Sequence, residues 1–183
     1  MSEEELIENA APTLAGIKTG SLFTCRFDSQ EQTRKDLRKL NALLLPKGLR
    51  IIPLRMVRGR VLIYVYRISR LGEDLAKQEA REILKQRGYD ASSIESCLAV
   101  LFKKLREEED FPHEIGLFLG YPPVDVRGFM EHRDTGLKCT GFWKVYGDEV
   151  EARKQFEKYR RCTEAYEKIF SCGRSVEGLI VAG

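Results

Sequence analysis

A chain of 183 residues, 43% hydrophobic and 32% charged, is long enough to bury a core, and its composition excludes a disordered or low-complexity protein. A net charge of +3 is too small to imply a polyanionic partner, and no apolar run approaches the roughly 18 to 20 residues of a membrane span. The start Met1-Ser2-Glu3-Glu4-Glu5 is acidic where a signal peptide is basic, and the five cysteines form no C-x-x-C pair, so a cytoplasmic protein with free thiols is expected.

One domain over residues 1–183 is expected, with 1–8 and 174–183 free to fray. Phe23, Cys25 and Phe27 alternate, which predicts a first strand over 21–27. Ser29 and Gln32 form a capping box ahead of Leu37, Leu40 and Leu44, so a helix runs to the break at Pro46-Lys47-Gly48. Apolar and β-branched runs over 49–57 and 60–67 flank Arg58-Gly59 and predict a hairpin. No acid lies between Asp36 and Glu73, while arginines crowd the same stretch.

Leu75, Ala76, Ala80, Ile83 and Leu84, on one face, predict a helix closed by Gly88. Ser92 and Glu95 open another, in which Ile94, Cys97, Leu98, Leu101, Phe102 and Leu105 form one amphipathic stripe. Residues 115–119 read as a strand leading into Gly120-Tyr121-Pro122-Pro123 and a further helix. Residues 137–146 read as a strand interrupted by Gly141, and 148–171 as a helix with Ala152, Phe156, Tyr159, Thr163, Tyr166 and Phe170 on one stripe. The tail from Arg174 is a short strand or frays. The fold class is therefore α/β (α+β): a mixed β-sheet of about five strands, including the hairpin, flanked by helices.

Three places can carry chemistry. At Gly120 the end of the predicted strand meets a helix start, where open α/β sheets often bind ligands, but two prolines remove amide donors and Asp125 occupies the positive end of the helix. His113 can act as a base, with Cys139 as its thiol, or the two can ligate haem or a metal. No Cys, His, Asp and Glu spacing identifies a metal site, and the cluster Glu131, His132, Arg133 and Asp134 reads as a solvated loop. The arginine-rich hairpin, with Tyr64 and Tyr66 interleaved, suggests phosphate gripping and base stacking, although no nucleic-acid motif accompanies it.

The string from His113 to Phe129, HEIGLFLGYPPVDVRGF, together with Ala11 to Lys18, Gly141 to Tyr146 (GFWKVY) and Phe156 to Tyr166, resembles a bacterial family known only as a domain of unknown function, common in anaerobic Gram-positive bacteria. The resemblance covers nearly the whole chain and implies a link to iron or redox physiology, with no activity or cofactor to carry over. The leading expectation is a binding protein that holds a small anionic ligand or a protein partner near Gly120, Tyr121, Arg127, Trp143 and Lys144. The alternatives are a thiol enzyme using Cys139 and His113, haem or metal binding through the same pair, and, less favoured, nucleic-acid binding through the hairpin.

Overall fold

The computed structural model describes residues 2–107, 110–133 and 135–183. Met1, Glu108, Glu109 and Asp134 lie outside them, and with them part of the acidic stretch 107–110 and of the polar cluster 131–134. The described residues form two compact units, 1–69 with 159–183 and 70–158. Length and composition do not mark this division.

The first unit begins with helix α1 (Glu3–Leu14), whose first half falls in the segment 1–8 expected to fray. Ser2 Oγ accepts the Glu5 amide at 3.1 Å, and Glu5 answers by accepting the Ser2 amide at 2.8 Å, a reciprocal cap that satisfies two otherwise orphaned donors. Leu6, Ile7, Ala10 and Leu14 are buried on its inner face. Strand β1 (Gly20–Arg26) and helix α2 (Gln30–Leu44) follow, the latter capped by Ser29 and burying Leu37, Leu40 and Leu44. Strands β2 (Leu49–Val57) and β3 (Arg60–Arg67) pair through the predicted Arg58-Gly59 turn, both of whose residues take positive φ (49° and 71°). That pattern belongs to a two-residue turn whose twist matches the strands.

The three strands form an antiparallel sheet in the order β1-β3-β2. One face, with Phe23, Cys25, Ile51, Val61, Ile63 and Val65, packs into the core with α1, α2 and the C-terminal residues Val176, Leu179 and Ile180. The edge strand β2 carries a bulge between Pro53 and Arg55, which leaves proline where no ladder donor is needed.

In the second unit, α3 (Ile68–Ala76) and α4 (Gln78–Gln86) are separate helices, broken at Lys77, where one helix closed by Gly88 is predicted. Gly88 does take the left-handed conformation, at φ 80°. Helix α5 (Ile94–Glu107) is capped by Ser93 rather than Ser92: Ser93 Oγ accepts the Ser96 amide at 3.0 Å. Of the predicted stripe, Cys97, Leu98, Leu101 and Leu105 are buried, while Ile94 and Phe102 are half-buried.

The predicted strand over 115–119 is instead the single-turn helix α6 (Ile115–Phe118). All five residues are buried, so the run has no polar face, and a short apolar run buried on all sides shows neither period. Helix α7 (Pro123–His132) starts at the prolines as expected. The strand over 137–146 is a small hairpin of β4 (Cys139–Thr140) and β5 (Lys144–Val145), folded back at Gly141. The fold class is α/β (α+β) as expected, but the five strands of the described residues are split between two antiparallel sheets rather than joined in one mixed sheet.

Helix α8 (Glu149–Ser171) and the short α9 (Val176–Leu179) complete the chain, α9 replacing the predicted strand or frayed end. Arg67 holds the tail in place. Its buried guanidinium donates to the carbonyls of Thr13 (2.7 Å), Leu14 (2.6 Å) and Val181 (2.7 Å), so one side chain closes the end of α1 and pins residues beyond α9.

Candidate functional site

Two helix ends and the small hairpin of the second unit line a mostly apolar cavity. Helix α6 ends in a Schellman motif: Gly120 at φ 77° donates to the Leu117 carbonyl (3.2 Å), and Tyr121 donates to the Gly116 carbonyl (3.0 Å). Gly120 is therefore a helix stop rather than an anion cradle, and Pro122 and Pro123 turn the chain directly into α7.

Asp125, in the first turn of α7, does not cap its own helix. Its carboxylate is buried and accepts three donors from the hairpin region, the Trp143 indole N–H (2.7 Å) and the amides of Tyr146 (2.8 Å) and Gly147 (2.7 Å). Close approach requires two glycines: a Cβ on Gly147 would meet Val124 at 2.7 Å, and one on Gly128 would run into the Tyr146 ring. Trp143 is thereby fixed between Tyr121, stacked on it at 4.9 Å, and Phe156, edge-on at 4.5 Å.

The resulting cavity has a volume of about 270 Å³. Its walls are mostly aromatic and aliphatic: Phe111, Ile115, Tyr121, Val126, Phe129 and Trp143. Three side chains add polarity, His113, Lys144 and Asp125. His113 meets Phe129 edge-on at 4.8 Å, and Lys144 Nζ lies 5.3 Å over the same ring. Lys144 thus projects an ammonium along an apolar wall, with the quadrupole of Phe129 beneath it.

The protonation of His113 follows from its neighbour. Arg133 is only a donor, so its Nη2–H contact with His113 Nε2 at 3.4 Å makes that nitrogen the acceptor and puts the imidazole proton on Nδ1. Burial first, and then the Arg133 charge, lower the His113 pKa below its ordinary 6.5, against smaller opposing effects of Glu114 and Asp110. Behind His113, Glu114 is fully buried and accepts the Tyr89 hydroxyl at 3.0 Å, with Arg87 at 3.4 Å and Lys104 at 3.5 Å. This network fixes the backbone that carries His113.

Of the predicted site residues, Tyr121, Trp143, Lys144 and His113 line the cavity. Gly120 supports it from behind, as the end of α6. Arg127 points elsewhere, to Glu82 at 3.6 Å. Cys139 is not part of the lining; it sits half-buried on β4, near Arg153. His132 is exposed beside Glu131. Among the described residues, no three His, Cys, Asp or Glu side chains are grouped to hold a metal. The residues that sequence reasoning passed over are Phe111, Phe129 and Asp125, the last read there as a charge for its own helix.

The family described as "Protein of unknown function (DUF3793)" matches residues 6–180. No curated protein and no solved structure matches the chain. No helix among the described residues is long and apolar enough to cross a membrane.

Proposed function

As the chain belongs to this family of unknown function and inherits no assigned activity from it, we propose, from the cavity alone, that it is a binding protein for a small planar aromatic molecule carrying an acidic group. The observation that carries this reading is the convergence of four aromatic rings with one imidazole and one ammonium around a single space. Small-molecule sites are mostly apolar, with a few polar groups that fix orientation, and usually span about 300 to 1,000 Å³. A cavity of about 270 Å³ therefore suits one or two fused rings. The rings of Tyr121 and Trp143 give faces for stacking. Lys144 and the Nδ1–H of His113 supply cationic and donor partners for a carboxylate.

Trp143 is the single tryptophan of the chain, so its emission reports on this cavity alone. Titration with benzoate and 8-anilinonaphthalene-1-sulfonate should give a saturable change in that emission, and these two and indole-3-acetate, an indole fluorophore read by melting alone, should each raise the melting temperature. Lys144→Met should weaken indole-3-acetate but leave indole itself nearly unaffected. An emission unchanged by the first two probes at millimolar concentration, with no shift in melting from any of the three, would remove the reading.

A further inference from the structure

The three-stranded sheet has a second face, turned away from its core, and the pairing register decides what it displays. Arg26 stands directly opposite Arg60, and Arg55 opposite Leu62, the next residue of β3 on that face. Arg58 occupies the turn beside them. All four arginines are exposed, and among the described residues none has an ion-pair partner. Asp28, two residues beyond Arg26, makes no ion pair with any of them. The surrounding unit, residues 1–69 with 159–183, carries 16 lysines and arginines against 10 aspartates and glutamates, a net of +6.

Two of these features work against folding. Like charges directly opposite on neighbouring strands are destabilising. Arg58 holds φ at 49° in a turn position that favours asparagine or glycine, so its backbone is strained where a better folding residue is available. We propose that this end of the sheet is a docking surface for the phosphate backbone of a nucleic acid, bound without regard to sequence.

The partner follows from what the surface has and lacks. Four guanidiniums without a lysine suit bidentate phosphate contacts. They spread over three strands at about 5 Å between strands and about 7 Å along them, too wide for one small anion and suited to successive phosphates. Val57 is the one large apolar side chain exposed at the tip among the described residues, which is too little to enter a lipid interface. Tyr64 and Tyr66 cannot serve as a stacking platform, because both are fully buried and stacked on each other at 4.8 Å. That corrects the sequence reading of these tyrosines as partners for bases and leaves the backbone as the contact.

The test is fluorescence anisotropy of the full chain with labelled duplex DNA, duplex RNA and a single strand, each about 20 nucleotides long, against salt. Four phosphate contacts give a log–log salt slope of about −3.6 on duplex, or roughly a 100-fold loss between 50 and 200 mM. Arg60→Gln and Arg26→Gln should each lower the slope by about 1. Arg58→Asn separates function from folding: it should raise the melting temperature by relieving the turn while weakening binding. Binding that is absent, or that survives all three substitutions, overturns the proposal. So does association with phosphatidylglycerol vesicles in the absence of nucleic-acid binding.

Discussion

The indole N–H of Trp143 donates to the Asp125 carboxylate at 2.7 Å, a bond across 18 residues that ties the small hairpin to the first turn of α7. The same carboxylate takes the Tyr146 and Gly147 amides, so one buried side chain sets the position of the whole hairpin. Asp125→Asn presents an amide donor to a cluster of donors. A buried hydrogen bond to a charged group is worth about 1.5 to 3 kcal/mol, so a loss of about 2 kcal/mol in urea unfolding is expected, with a red-shifted Trp143 emission. An unchanged midpoint and emission maximum would mean that the carboxylate does not hold the tryptophan.

Gly128 reverses the usual rule for helix interiors. Exchanging glycine for alanine in mid-helix ordinarily stabilises by about 1 kcal/mol. Here the added methyl meets the Tyr146 ring, whose hydroxyl is held by the Arg133 carbonyl. Gly128→Ala should therefore lower the melting temperature, and Gly136→Ala, where nothing lies within 4 Å but φ is 77°, should lower it through backbone strain alone. The double variant Gly128→Ala/Tyr146→Ala should recover the helix-propensity gain at 128. A Gly128→Ala chain more stable than the parent would contradict the packing.

Strands β1 to β3 and helix α2 are legible in the sequence because each shows one clean period and one clear stop: alternation broken by Arg58-Gly59, or a leucine stripe broken at Pro46. Helix α1 is not legible in this way: its capping box, Ser2 with Glu5, sits in a run of three glutamates that reads as a polar end free to fray. Residues 115–119 have no polar face, so no period distinguishes strand from helix there. The cavity is half legible: Tyr121, Trp143, Lys144 and His113 stand out as chemically apt residues, whereas the bonds from Asp125 span 18 to 22 positions and no local spacing encodes them. Arg127 and Cys139 are equally apt by type, yet the turn of α7 and the register of β4 carry them away from the lining.

The depressed pKa of His113 has a definite consequence for stability. Its folded value lies below the 6.5 of an unperturbed imidazole, so between the two the unfolded chain binds more protons. The stability contribution is complete above about pH 6.5 and is lost as pH falls towards the folded value. The groups facing the ring are Arg133 and Arg87, which oppose protonation, and Glu114 and Asp110, which favour it. Urea midpoints should fall between pH 7 and pH 5 in the parent chain, with a shallower fall in His113→Gln. Identical pH slopes would show that the ring titrates without a cost from its surroundings.

The cysteines should differ sharply in reactivity. Burial pushes the Cys25 thiol up to about 11, with the Glu5 charge adding to the effect, and burial, followed by the Asp90 charge, raises Cys97. A thiol reacts as its thiolate, so these two are protected by both access and protonation. Cys172 is exposed, and Cys139 and Cys162 are half-buried. Under native conditions at neutral pH, iodoacetamide should label Cys172 first and Cys139 and Cys162 more slowly, while Cys25 and Cys97 react only after denaturation. Mass spectrometry of a time course reads the order directly. Early labelling of Cys25 would place its strand outside the core, because β1 supplies Cys25 to the same inner face as Phe23.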